Sequence, residues 1–422
     1  MEKINSLTGM LDLISRKSDK EDLANKIFST EGVLKEIFKN FSLSEIRNPA
    51  LESTSLFKRS VGDTSDIVNK ELYTFLDKNE KSISLRPEGT ASVIRSIIEN
   101  KLDAELQKLW YIGPMWRYER PQKGRFRQFY QAGVEILGFK EGIAEFEMIS
   151  LICEINRKLE IKEPKIKINH LGNSETKNEF CNALVKFLEP MKSKLDEKDL
   201  NRLQKNPLRV LDSKNEDTQE ILAKGPSIKD FLPKDSINLL KQIQETFSDH
   251  CKITIDYSLV RGLDYYSGIV FEAISEELGA QDSYLGGGRY DNLCTQLGGK
   301  NLPAIGMAIG IERLALISNQ KSTDKTLISF LIVSSNFEPK AYKIAHDVRL
   351  LNDNVEIDVQ LTENSLKSKL RRANKDKALY AVIIGNDEVE SNSVIVKPLN
   401  KKDSDQIKMN LNEFKTFIKN LS

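Results

Sequence analysis

The side chains most able to do chemistry lie between Pro114 and Gln131. There Arg117, Arg120, Lys123, Arg125 and Arg127 alternate with Trp116, Tyr118, Phe126, Phe129 and Tyr130 around one acid, Glu119. Guanidinium forks grip phosphate through paired hydrogen bonds, and an aromatic face can stack a base. Pro121 and Gly124 punctuate a span too short for a helix, so it reads as strand, basic turn, strand. Strand side chains alternate, which puts Arg127, Phe129, Gln131, Gly133 and Glu135 on one face and pairs Arg117 with Glu119 on the incoming strand. Gly133 is expected to leave a gap for a ligand. A phosphate clamp, a base platform, an amide and a deeper carboxylate on one ladder point to a nucleotide-dependent ligase. A solvated basic hairpin with aromatic cross-strand pairs is the plainer alternative.

Four further strings carry polar chemistry. Arg86-Pro-Glu88-Gly89-Thr90 presents a carboxylate and a hydroxyl at a turn, a seat for an ammonium group or simply a helix N-cap. Arg261-Gly-Leu-Asp264-Tyr265-Tyr266 gathers groups that are costly to bury without partners, at a site or at a hydrogen-bonded surface turn. Gly286-Gly-Gly288-Arg289-Tyr290-Asp291 lets backbone approach a ligand, and as a bare glycine run it also fits a plain turn. Gly306 to Leu314 reads as an apolar helix over about 306–318 whose lone Arg313 needs a phosphate or an internal acid as partner. The Gly-Lys pair at 299–300 is no phosphate loop, because Cys294 and Asn301 stand where that motif needs glycine and Ser/Thr.

The elements that position these strings follow from periodicity. Leu23, Ile27, Leu34 and Phe38 recur at helical spacing after a capping-box pattern, Ser18 to Glu21. Strands are expected at 70–77 and 81–86, a helix after Gly89, and another over 142–158. From 165 to 250 the chain becomes lysine-rich, helical in period and interrupted by prolines, an insertion within a larger domain of residues 1–320. Strand character returns near 254–257 and 269–273. After a polar stretch, Ser318 to Lys325, strands and helices alternate through 326–422, which implies a small α/β domain with a mainly parallel sheet. Its helix 365–376 buries Leu366, Leu370 and Ala373. The helix and the turn beyond it present Lys367, Lys369, Arg371, Arg372, Lys375 and Lys377, a solvated face or an RNA-backbone contact.

Composition narrows the class. The chain has 422 residues, 30% charged and 39% hydrophobic, with net charge +1, so any nucleic-acid surface must be a local patch. Cys153, Cys181, Cys251 and Cys294 show no CxxC spacing and read as reduced cytosolic thiols. Three scattered histidines, His170, His250 and His346, argue against histidine-centred catalysis and leave no protein metal ligands identified. Neither a signal peptide nor an apolar run of membrane-spanning length is seen, so a cytoplasmic location without membrane partners is expected.

Taken together, the strings 86–90, 113–125, 261–266, 286–291 and 310–314 resemble those of bacterial histidine–tRNA ligases, class II aminoacyl-tRNA synthetases, over essentially the whole chain. The resemblance implies an α+β catalytic domain with a six-stranded antiparallel sheet and a helical insertion, then a small α/β anticodon-binding domain. It implies ATP with Mg2+, L-histidine and histidine tRNA as substrates. It also implies a homodimer with the first helix and the segment around Pro49 at its interface. By the same resemblance, Glu88, Gly89, Thr90 and Gln131 hold the histidine ammonium, while Glu135, Tyr265 and Tyr266 enclose the imidazole. Arg117 bridges substrate carboxylate and α-phosphate, and Arg261 is the catalytic arginine. Glu119, Arg125, Phe129 and Arg313 serve ATP, and Arg120 and Gln122 the 5′ end of the tRNA, with Lys367, Arg371 and Arg372 as further RNA contacts. The chain departs from the family pattern at Thr8, Asn48, Tyr130 and Ser267 to Val270. Relatives that serve as regulatory subunits of a histidine-biosynthesis phosphoribosyltransferase are the alternative. They lack the last domain and degrade the 261–266 string, both of which this chain keeps.

Overall fold

The computed structural model describes residues 3–15, 22–62, 65, 67–122, 124–279, 282–320, 325–360, 364–400 and 405–421. The chain divides into two compact units, Met1–Ile14 with Lys26–Gln320 and Ser15–Asn25 with Lys321–Ser422.

The larger unit is organised around an eight-stranded sheet. Six strands run antiparallel in the spatial order Gln107–Trp116, Gln128–Leu137, Ala304–Gly310, Ser283–Arg289, Ile269–Ile274 and Lys165–His170. A short strand adds in parallel at each margin, Ser44–Glu45 beside Gln107–Trp116 and Lys252–Ile255 beside Lys165–His170. The expected six antiparallel strands are therefore present with two added edges. Helix Thr90–Glu99 buries Val93, Ile94 and Ile97 with Leu109, Tyr111 and Met115 of the sheet. Helix Ala144–Lys158 buries Met148, Ile149, Leu151, Ile152 and Ile155. A small second sheet orders Leu51–Ser53, Ser82–Leu85 and Thr74–Leu76, and Asp77 closes its hairpin by accepting from the Asn79 and Lys81 amides. Residues 70 and 71, expected in a strand, end a π-helical turn instead.

Two expectations are corrected at the centre of the sheet. Gly286–Gly288 is not a turn but the middle of the strand Ser283–Arg289. The stretch 306–310 belongs to the strand Ala304–Gly310, and only Ile311–Ile317 is helical. Glycine lowers strand propensity, yet here pairing on both sides overrides it because the site needs bare backbone. A Cβ on Gly287 would lie 2.1 Å from the Gly306 carbonyl oxygen, and one on Gly306 would lie 1.8 Å from Oε2 of Glu135.

The insertion starts later than expected, because Lys165–His170 is a strand of the main sheet. It holds helices Ser174–Leu188, Glu197–Lys205, Glu216–Leu222 and Lys234–Thr246. Asn173, Asp196 and Asn215 cap the first three by accepting from the amide three residues on. Leu184, Leu188, Leu203, Leu208 and Val210 share one apolar cluster with Leu259, Tyr265 and Tyr266. Cys153 and Cys251, far apart in sequence, are brought side by side with Cα atoms 6.0 Å apart, while Cys181 and Cys294 lie apart from them. The two meet because helix Ala144–Lys158 packs beside the final insertion helix, which Cys251 follows.

The first helix, Leu23–Asn40, buries Ile27, Leu34 and Phe38; the capping pattern before it, Ser18 to Glu21, lies outside the described residues. Most of the polar stretch before Lys325 does too. In the smaller unit the strand order is Val355–Val359, Thr326–Ile332, Tyr380–Ile384, Ser393–Pro398, Ile407–Asn410, with the first three parallel and the last two antiparallel. Helices Glu338–Arg349 and Leu411–Lys419 pack on one face through Ile344, Val348, Phe414 and Ile418, and Leu366–Lys375 packs on the other through Ala373. Lys369 departs from the expected charged face. It is buried, and its Nζ donates to the Ile332 carbonyl at the strand end. Among the described residues no helix is long and apolar enough to cross a membrane.

Candidate active site

Register across the sheet assembles the site. Phe129, Gln131, Gly133 and Glu135 stand opposite Met115, Gly113, Tyr111 and Leu109 on one side. On the other side Gly310, Ala308 and Gly306 face Gln131, Gly133 and Glu135, and Gly286 and Gly288 lie beyond Ala308 and Gly306. Directly paired residues point to the same face. The centre of that face is therefore glycine and alanine backbone, with functional side chains lying over it.

At one end the groups are dry and tightly held. Glu88, 3% exposed, accepts from the Thr90 and Ala91 amides at 2.7 and 3.0 Å. It thereby satisfies donors that the helix Thr90–Glu99 leaves open at its start. Burial pushes its carboxyl pKa up, against those bonds and the nearby Arg117. Thr90 Oγ1 donates to Glu135 Oε1 at 2.7 Å, and the Tyr290 hydroxyl donates to Glu135 Oε2. Glu135 is fully buried, and burial raises its pKa to about 8 despite these two donors. Gln131 is 8% exposed, and its Oε1 has no hydrogen-bond partner, a cost that a bound donor would remove. The gap expected at Gly133 is filled: the Tyr111 ring covers both Gly133 and Gly89, where a Cβ would lie 2.1 and 2.2 Å from it.

At the other end the groups are charged and half-exposed. Arg117 ties the hairpin to the 86–90 turn by donating from Nε to the Pro87 carbonyl at 2.9 Å, and its guanidinium stands 5.2 Å from the Phe129 ring centre. Glu119 lies between Arg117 and Arg125, 3.9 and 3.1 Å away. Arg313, in the first turn of helix Ile311–Ile317, donates to the Ser283 carbonyl. Burial, then the field of Arg125, disfavours its charge, with Glu119 the strongest opposing acid. Two guanidiniums that repel one another make a favourable place for an anion. Glu312 anchors this helix by accepting the Tyr130 amide at 2.8 Å, and burial raises its pKa to about 7.

Arg261 joins the two ends. Its guanidinium lies on Gly286, where a Cβ would sit 2.0 Å from Nη2. Nη1 donates to Glu272 at 2.6 Å, and Nε is buried without a partner. Tyr265 and Tyr266 are buried beside it with ring centres 4.7 Å apart, and Tyr290 meets Tyr265 edge-on. The sequence candidates Glu88, Gly89, Thr90, Arg117, Gln131, Glu135, Arg261, Tyr265 and Tyr266 thus share one compact region of the sheet face. Arg127 does not point there usefully: it donates to the Glu119 carbonyl and lies over Tyr118. Arg86 is also a brace, donating to the Pro114 and Asn48 carbonyls. Arg289 is buried in an ion pair with Glu145 at 2.5 Å. Sequence reasoning missed Tyr111, Tyr290 and Glu272 as parts of the site. Glu272 alone left a signal, as the one acid in the apolar strand Ile269–Ile274. Arg120 and Gln122 are exposed at the hairpin tip, and Lys367, Arg371 and Arg372 are exposed on the helix of the smaller unit.

Comparison with known proteins matches this arrangement. Residues 20–314 match the family model described as histidyl-tRNA synthetase, and residues 328–421 match the anticodon binding domain. A histidine–tRNA ligase from Francisella philomiragia is 42% identical over 432 residues, covering 100% of both chains. The crystal structure of apo S. aureus histidyl-tRNA synthetase superimposes with a TM-score of 0.78 at 30% identity, covering 99% of this chain and 100% of that one. A Bacillus halodurans structure named as an ATP phosphoribosyltransferase regulatory subunit/histidyl-tRNA synthetase, 22% identical with a TM-score of 0.63 and covering 89% of this chain, shares the fold alone. The regulatory alternative is not favoured, and the chain belongs to the histidyl-tRNA synthetase family.

Proposed function

We propose how this chain divides the labour of histidine–tRNA ligation, in which ATP activates L-histidine as histidyl-adenylate and the histidyl group passes to the 3′ end of histidine tRNA. Glu88 and the free Oε1 of Gln131 receive the substrate ammonium beside Gly89 and Thr90. Glu135, held by Thr90 and Tyr290, reads the imidazole between Tyr265 and Tyr266. Arg117 bridges the substrate carboxylate and the α-phosphate. Arg125 and Arg313, oriented by Glu119, take the distal phosphates, and Phe129 stacks adenine. Mg2+ enters with ATP as part of the substrate.

In the first step a carboxylate oxygen of histidine attacks the α-phosphorus, and the bond to the bridging oxygen breaks with release of pyrophosphate. Arg261, lying flat on the glycine floor, stabilises the charge gathering on the α-phosphate oxygens. In the second step the terminal ribose hydroxyl of the tRNA takes the acyl group and AMP leaves. Both steps rest on positioning and fixed charge, with no protein nucleophile. Arg120 and Gln122 contact the 5′ end of the tRNA, and Lys367, Arg371 and Arg372 its backbone.

The observation that carries this reading is the convergence of Glu88, Gln131, Glu135, Arg117 and Arg261 over one strip of bare backbone. Arg261→Ala should lower ATP–pyrophosphate exchange by about 10²–10³-fold in a folded protein, the scale of losing one transition-state donor. Near-normal exchange would remove Arg261 from its role. Residues 1–320 serve as the catalytic domain and 326–422 as the anticodon-binding domain of a cytoplasmic homodimer. The exposed Leu51, Phe75 and Leu76 support an apolar interface near Pro49, and sedimentation of the free protein checks the dimer.

A further inference from the structure

Residues 260–266, which carry Arg261, belong to no helix or strand, so their shape depends on side chains that grip them. One side of the loop meets the sheet through Arg261, Glu272 and Gly286. The other side meets the insertion. Asn206 Nδ2 donates to Asp264 Oδ1 at 2.8 Å, and Arg209 Nε stands 3.5 Å from the same oxygen. The Arg209 guanidinium also donates to the Gly262 carbonyl, one peptide beyond Arg261. Lys177, from the first insertion helix, reaches the Tyr266 carbonyl at 3.5 Å. Gly62, at φ +91°, makes room for the other Asp264 oxygen, which lies 2.6 Å from where a Cβ would be. Asn206 and Arg209 straddle the junction between the helix Glu197–Lys205 and the 3₁₀ turn Pro207–Asp212, so a shift of that junction moves both grips together.

We infer that Arg209, with Asn206, is a positioning residue of the insertion: it fixes the Gly262 peptide and Asp264 and thereby aims the Arg261 guanidinium at the reacting phosphate. This rests on the proposed role of Arg261. The insertion is then a working part of adenylate formation, acting before any tRNA is bound. Arg209 touches no substrate. Its influence is geometric, and displacements of about 1 Å in such a site cost about a hundredfold in rate.

The test is ATP–pyrophosphate exchange without tRNA. Arg209→Ala should lower kcat at least about tenfold while KM for ATP and for histidine stays within about twofold, because the lost interaction acts only in the transition state. Arg209→Lys, which keeps one charged donor, should recover part of the loss. In an Arg261→Lys background, where Arg261 no longer presents its fork, Arg209→Ala should cost little more, since residues acting through one another are not additive. Thermal melts confirm folding, and Asn206→Ala serves as the second variant if Arg209→Ala does not fold. A normal kcat in the folded variants overturns the inference, as does full additivity with Arg261→Lys. Normal exchange by Arg261→Ala instead overturns the role of Arg261 itself, a separate outcome.

Discussion

The two ends of the site are built on opposite principles. Around Glu135 the polar groups are buried and most are fastened to the protein, with Thr90 and Tyr290 each donating to one oxygen of Glu135, two amides donating to Glu88, and Gln131 Oε1 left open. Around Arg125 and Arg313 the charges are partly exposed, repel each other and share one acid, Glu119. A buried, preorganised pocket with acceptors still open rejects a wrong side chain because the groups it leaves unpaired are costly. A half-exposed one, in which two guanidiniums repel each other, attracts a polyphosphate and leaves its geometry to be completed by the ligand.

The contrast predicts unequal responses to substitution. The largest effect is expected at the dry end. Glu135→Gln should reduce kcat/KM for histidine by about a hundredfold, the scale of leaving one buried polar group unpaired, with KM for ATP nearly unchanged. At the wet end Arg125→Ala should raise KM for ATP by about tenfold, and added salt should narrow the gap between variant and parent, because exposed charges are screened. A response of the Glu135 variant to salt as steep as that of Arg125→Ala would erase the distinction. The last difference is a pH signature. The Glu135 carboxyl pKa is raised from 4.5 to about 8 by burial, so its contribution to stability is full below about pH 4.5 and is lost as pH rises through about 8. Melting temperatures should therefore show the parent losing ground to Glu135→Gln between pH 5 and about pH 8.5, with no such trend for Arg125→Ala.

What the sequence disclosed followed the same line. The wet end was legible because arginines and aromatics crowded into Pro114–Gln131 have few other uses, and alternation placed Phe129, Gln131 and Glu135 on one face. The C-terminal strands and helices were legible from periodicity, save the added strand Ile407–Asn410 and the short helix Asn386–Glu390. The floor was not. Gly286–Gly288 resembles a turn by local propensity, and Ala304–Gly310 resembles a helix, until pairing with strands far away in sequence decides otherwise. Tyr290, named only within the string 286–291, and Tyr111 had no readable role for a related reason: their partners, Glu135 and the glycines, are neighbours only across the sheet. Asn206 and Arg209 lay in a lysine-rich stretch whose charges gave no hint that one of them reached 53 residues ahead to Gly262.

The glycine floor has a consequence for how such a site can drift over generations. Walls made of side chains can be exchanged, since a tyrosine can become a phenylalanine and still fill its place. A floor made of main chain offers no such intermediate. The smallest possible change at Gly306 or Gly286, a single methyl, would land on the carboxylate of Glu135 or the guanidinium of Arg261 without altering either residue. Variation that retunes this pocket must therefore enter from its walls, and a sampled lineage should show its tolerated changes there.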